Sequence, residues 1–262
     1  MRESHEDLKN PNYEHNKMKA RYKELLHKSV AAMIAAIEVY NKPDFHYREE
    51  TFSIIAVNAW ELACKAYILK LSDNRLKTLY VYERLKKKDG SPSKKQKIKT
   101  GKSRNPITHS LEYSLNLIES LSGKPLPEAL KVKIMALDAL RDNSIHFYNR
   151  GLLFAKRLQE LGSATLKNYV LALGEWFEMN LSQYNFYLMP ISFFAEAQIA
   201  EGLVLNKEEK RFLDFIDILE QETPNSGFYD IAINVNINFV KSKTSEAIKV
   251  QLVSCSLINA AN

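Results

Sequence analysis

Residues 141–149 read RDNSIHFYN, directly after the helical run PLPEALKVKIMALDAL of residues 125–140. Arg141 and His146 stand five positions apart in this stretch. A histidine can take or give a proton near neutral pH. A guanidinium offers a planar fork of N–H groups shaped for a phosphate or a developing phosphorane. The spacing alone is a weak signal, but the position adds weight. The apolar seam of the run goes Leu130, Ile134, Leu137, Arg141, Ile145, so an arginine stands where the pattern asks for Leu. A charge there must be paired, exposed in a cleft, or used.

The neighbours of the pair fit supporting roles. Asp142 and His146 lie four apart on one helix face, where a carboxylate would orient the imidazole and favour its protonated form. Asn143 is a second candidate to orient it. Asp142, Asn143 and Ser144 are poor helix formers, so a distorted turn could bring the Arg141 and His146 tips together. In a regular helix the two positions lie about 140° apart around the axis. A plainer reading is a salt bridge at a helix end, with His146 favoured near the C-terminus by the helix dipole.

Two further sets surround this candidate. Asn58, Glu61 and Lys65 form a polar line on an otherwise apolar stretch. Glu61 stands four before Lys65, the favourable orientation for an ion pair. The line is either a solvent-facing stripe or part of the cleft that holds Arg141, with Glu61 as the arginine's partner. The second set is RLKKKDGSPSKKQKIKTGKSR, residues 84–104, with ten Lys/Arg against one Asp. The whole chain is at +6, so the basic character is one local feature. Lys86, Lys87, Lys88, Lys94, Lys95, Lys97 and Lys99, with Tyr80 and Tyr82 just before them, suit the phosphate backbone of a nucleic acid. They would supply affinity rather than sequence reading. A solvated basic loop is the bland alternative.

Other chemistries lack residues. There is no Gly-rich phosphate loop, no G-x-S-x-G and no H-E-x-x-H. Cys64 and Cys255 are far apart among apolar neighbours, which reads as two reduced core thiols and gives no metal spacing. No cofactor and no metal are expected. The polar N-terminus has no apolar signal core. Asn58, Glu61 and Lys65 interrupt the longest apolar run before it reaches the ~18 residues of a spanning helix. A cytoplasmic protein with no membrane contact is the expectation.

The elements that must position these residues follow from periodicity and punctuation. Helices are expected over 16–40, 49–71, 108–121, from Pro125 and Pro127 to about 142 or slightly beyond, and over 152–184. TLYVYERLKKKDGSPSKKQKIK, residues 78–99, reads as an exposed β-hairpin or loop with Asp89-Gly90 at its turn. Asn206 with Glu209 reads as a capping box opening a sixth helix. The alternation in YDIAINVNINFV, 229–240, and the run IKVQLV, 248–253, read as strands. The chain thus divides into a helical region, 1–188, with a basic insertion at 76–105, and a small α+β region, 189–262.

The R-x4-H pattern, with the polar Asp142 directly after the arginine, resembles the signature of the HEPN superfamily, the higher eukaryote and prokaryote nucleotide-binding domains. FSIIAVNAWELACKAYIL, 52–69, together with RDNSIHF, resembles a bacterial family of unknown function related to that superfamily. There a W-E-L-x-x-K-A helix precedes a basic hairpin and an R-x4-H-F helix follows. The likeness covers about residues 20–185. It implies a HEPN-like helical bundle and a metal-independent RNA endonuclease, with RNA as partner and a homodimer whose two R-x4-H helices share one cleft. It also implies a toxin or anti-phage defence role. Tyr148 completes R-x4-H-x-Y, the form found in toxins whose tyrosine is modified by a partner nucleotidyltransferase; an ordinary core or interface tyrosine is the simpler reading. An antitoxin is a further implied partner. A non-catalytic nucleic-acid or nucleotide-binding module, and a structural dimerisation protein, remain compatible with the same residues.

Overall fold

The apolar run of residues 52–69 forms the axis around which the other helices pack. The computed structural model describes residues 20–42, 45, 47–87, 91–146, 152–184, 186, 188, 207–222 and 229, and these are mainly helical. Helices α1 (Arg21–Asn41), α2 (Arg48–Leu71), α3 (Leu111–Ser122), α4 (Glu128–His146), α5 (Leu152–Phe177) and α6 (Lys207–Glu222) are joined by one hairpin, β1 (Tyr82–Lys86) and β2 (Pro92–Ile98). α2 packs against α1, α3, α4 and α5. A helix covered on most sides must be apolar most of the way round, and Phe52, Val57, Trp60, Cys64, Ile68 and Leu69 are all buried. By length and composition α2 could span a membrane, yet 61% of its apolar window is buried within the bundle. It is the core helix of the fold.

Aromatic packing and one buried polar link hold α1, α2 and α5 together. Trp60 is fully buried and meets Tyr169 edge-on at 5.2 Å between ring centroids. Truncating such a side chain typically costs about 3–5 kcal/mol. The Ser29 hydroxyl donates to the Ala59 carbonyl at 2.6 Å and has one proton to give, so Tyr169 Oη donates the 2.6 Å bond they share. On α5, Gly162 lets Phe52 of α2 approach to 3.1 Å from where a Cβ would stand.

Capping chemistry sets the ends. Ser110 caps α3 by accepting from the Tyr113 amide, and Gly123, at φ 67°, closes it. Pro127 stands one position ahead of α4, its carbonyl accepting from the amides of Leu130 and Lys131. α4 then continues without interruption through His146, so the distorted turn expected at Asp142–Ser144 is not present in its backbone. α5 ends at Phe177, short of the expected residue 184. Glu178 is left-handed at φ 57°, and the Glu178 and Met179 amides turn back to the Gly174 and Leu173 carbonyls.

The basic segment is a hairpin, with Tyr82 opposite Ile98, Glu83 opposite Lys97 and Arg84 opposite Gln96. A register shift lies between Arg84 and Lys86. The root of the hairpin is clamped by the segment before α3. The Val81 amide donates to Ile107 O, Ile107 to Lys99 O, and His109 to Leu79 O. The expected turn residues Asp89 and Gly90 lie outside the described residues, as do Lys88 and helix positions 16–19. α6 buries Phe212, Leu213 and Ile216 and packs on α4 and α5. Tyr229 donates to Glu175 at 2.8 Å. The strands expected over 229–240 and 248–253, apart from Tyr229, lie outside the described residues, as does Cys255.

Candidate functional site

The seam of α4 delivers Arg141 to the rim of the bundle. Leu130, Ile134 and Leu137 on the same stripe are buried, whereas the Arg141 side chain is 25% exposed. Its guanidinium is ringed by carboxylates. Nη2 lies 2.8 Å from Asp138 Oδ1, one turn back. Nε and Nη2 both donate to Asp142 Oδ1, at 3.1 and 2.9 Å. Nη1 reaches Glu61 of α2 at 3.8 Å, which is an ion-pair contact rather than a hydrogen bond. Glu61 also accepts from Lys65 at 3.1 Å. The packing of α2 on α4 therefore joins the polar line of one helix to the R-x4-H segment of the other. Asn58, two turns before Lys65, is exposed.

Charge is densest at Asp138. Burial pushes its carboxyl above the usual range. Arg141 pulls it down, and Asp142, Glu61 and Glu112 push it up again. Arg141 is thus the cation that opposes the rise. Three of its contacts fall on Nε and Nη2, so Nη1 is the part of the fork best placed to meet a phosphate. Asp142 accepts twice from Arg141 on one oxygen, which ties it to the arginine as well as to any histidine role. The side chains of Asn143 and His146, and all of Tyr148, lie outside the described residues. Cys64 is free and buried, and burial first, then the Glu61 charge, pushes its thiol up to about 12. It is no nucleophile at neutral pH. Among the described residues no group of three His, Cys, Asp or Glu side chains could hold a metal ion.

The lysines stand on the hairpin. Lys86, Lys87, Lys94, Lys95, Lys97 and Lys99 are exposed. Lys97 pairs across the strands with Glu83 at 3.1 Å, both ends open to solvent. Sequence reasoning missed His109 and Tyr113. Their rings stack at 4.0 Å between centroids, beside the root of the hairpin. Burial first, and the Lys65 ammonium second, hold His109 below the usual histidine range. The Lys65 ammonium that acts on His109 is the one paired with Glu61. The available signal was an His/Tyr pair at i, i+4 flanking the Ser110 cap.

No curated protein and no solved structure matches the chain. A family model matches residues 24–223, from the first turn of α1 through α6. The chain therefore belongs to the family described as Domain of unknown function (DUF3644).

Proposed function

We propose that this protein is a HEPN-type, metal-independent RNA endonuclease acting in the cytoplasm as a toxin or anti-phage defence effector. The observation that carries the reading is Arg141. It stands on an apolar seam, at the bundle rim, and among the described residues its Nη1 edge meets only Glu61, at 3.8 Å. An arginine so placed is costly as packing and useful as an anion site. The continuous helix through His146 sets positions 141 and 146 about 140° apart around the axis. One phosphate is then reached more readily by an arginine and a histidine from two chains than from one. This favours a homodimer in which two such helices flank a shared cleft. Light scattering should give about twice 30.2 kDa.

In this mechanism His146 takes the proton from a ribose 2′-hydroxyl, or gives one to the departing 5′-oxygen. The 2′-oxygen forms a bond to phosphorus as the P–O5′ bond breaks. Arg141 stabilises the charge on the phosphorane. The products carry a 2′,3′-cyclic phosphate and a 5′-hydroxyl. Asp142 and Asn143 position the histidine and arginine. Glu61, itself paired with Lys65, holds Arg141 from the facing helix, and the hairpin lysines supply backbone affinity.

The test compares His146→Ala with wild type for cleavage, RNA affinity and melting temperature. Loss of ~10²–10⁴ in rate with affinity and fold retained supports the reading. The three carboxylates around Arg141 favour a second reading, in which the cluster is a structural ion-pair network. That reading requires wild type to cleave no RNA and Arg141→Ala to act on stability alone.

A further inference from the structure

A groove of about 670 Å³ lies between the hairpin and α3, lined by Lys77, Tyr80, Tyr82, Gln96, His109 and Tyr113, among others. Three tyrosines and a histidine ring are among its lining residues. Tyr113 is 51% exposed and Tyr82 41% exposed, although neighbouring Leu111 and Leu115 of α3 are buried. These rings are held in place. His109 stacks on Tyr113 at 4.0 Å with planes 22° apart, and the His109 amide is tied to Leu79 O at 3.1 Å. Tyr82 Oη donates to Lys77 O at 3.3 Å. A rigid, half-exposed aromatic costs little entropy when something flat stacks on it.

The hairpin continues the groove with charge. Side chains alternate along a strand, so the face bearing Tyr82 also bears Arg84, which lies ahead of the register shift. Arg84 is opposite Gln96 in the register, and both Arg84 and Lys94 are exposed. Flat rings at the root, an amide beside them and cations above them form the pattern of a single-strand binding platform: bases stack and the backbone follows the charge.

We propose that this groove binds unpaired nucleobases of single-stranded RNA, stacked on Tyr113 and Tyr82, with the sugar-phosphate chain along Arg84 and the exposed lysines of the hairpin. The choice of RNA rests on the endonuclease reading; the stacking geometry stands apart from it. The groove thereby selects for unpaired strands, because a base inside a duplex offers no free face to the tyrosines.

The test uses the full chain and two fluorescent oligomers of equal length: a 2′-O-methyl oligoadenylate, which cannot be cleaved, and its abasic counterpart. Anisotropy titrations should show wild type preferring the base-bearing oligomer. Tyr113→Ala should weaken that binding about 5- to 100-fold, and Tyr113→Phe should retain it. Affinity for the abasic oligomer and the salt dependence should be unchanged by either variant, because no phosphate contact is lost. Equal binding of the oligoadenylate by wild type and Tyr113→Ala would overturn the proposal. So would a wild type that does not distinguish the two oligomers, or binds neither. Because the ligand cannot be cut, stacking that survives while natural RNA is never cleaved removes the nuclease reading and leaves the groove standing.

Discussion

Replacing Arg141 with Ala should destabilise the protein at neutral pH, and the deficit should depend on pH. Removing the guanidinium leaves Glu61, Asp138 and Asp142 facing one another, with Lys65 the one cation paired to them among the described residues. The side chains of Arg141, Asp138 and Glu61 are 25%, 27% and 28% exposed. The site therefore falls between exposed ion pairs, worth about 0.2–1 kcal/mol, and buried ones, whose breakage costs about 3–5 kcal/mol. A loss of about 2 kcal/mol follows, or roughly 4–8 °C in melting temperature for a chain of this size. The sign of the pH effect comes from Asp138, whose carboxyl already lies above its ordinary range through burial, with Arg141 opposing. A raised carboxyl binds its proton more tightly in the folded state, so stability is lost as pH rises through that range. Without Arg141 the carboxyl rises further, and the deficit should grow from acid to neutral pH. Thermal melts across pH 4 to 8 measure it, and adding Asp138→Asn should recover most of it. An Arg141→Ala protein that melts at or above wild type at pH 7, or with a deficit independent of pH, would refute this reasoning.

Neutralising Lys86, Lys87, Lys88, Lys94 and Lys95 together should weaken RNA binding and flatten its salt dependence, since fewer counterions are released. The fold should persist, because the described members of this set are exposed on the hairpin; an unchanged salt slope would count against a binding role. At the start of α2, burial holds the Glu49 carboxyl up at about 6 rather than 4.5. That costs the folded state about 2 kcal/mol at neutral pH. Glu49→Gln should therefore raise the melting temperature at pH 7 and lose the advantage as pH falls through that window, whereas equal melting curves at both ends would contradict it.

The parts of this molecule that were legible in its sequence are those set by local rules. The apolar breadth of residues 52–69 made a core helix, and the helix expected over 108–121 is α3, starting three residues later because Ser110 caps it. The i, i+4 order of Glu61 and Lys65 gave their ion pair. The sequence left the Asn58–Glu61–Lys65 line as either a solvent-facing stripe or part of the Arg141 cleft, and the packing of α2 on α4 brings Glu61 to Arg141 while Asn58 stays exposed. Less was readable where a backbone departs from residue preference. Glu178 takes a left-handed conformation without being Gly or Asn, so the end of α5 carried no visible stop. Lys133, buried within α4, interrupts no pattern that marks it as special. The His109–Tyr113 groove was invisible for another reason. It depends on the strand-like clamp of Ile107 and His109 onto Leu79 and Val81, a contact between segments that no periodicity links.

Incubation of the wild-type protein with single-stranded RNA in excess EDTA, followed by analysis of the fragment ends, tests the central claim most directly. An Arg–His site that uses the neighbouring 2′-hydroxyl should cut without added metal and leave 2′,3′-cyclic phosphates and 5′-hydroxyls, while the all-deoxy strand of the same sequence stays intact. His146→Ala, folded and still able to bind the RNA, should leave both strands whole. Cleavage that EDTA abolishes, fragments ending in a 5′-phosphate, equal cutting of the deoxy strand, or undiminished cutting by His146→Ala would contradict the account.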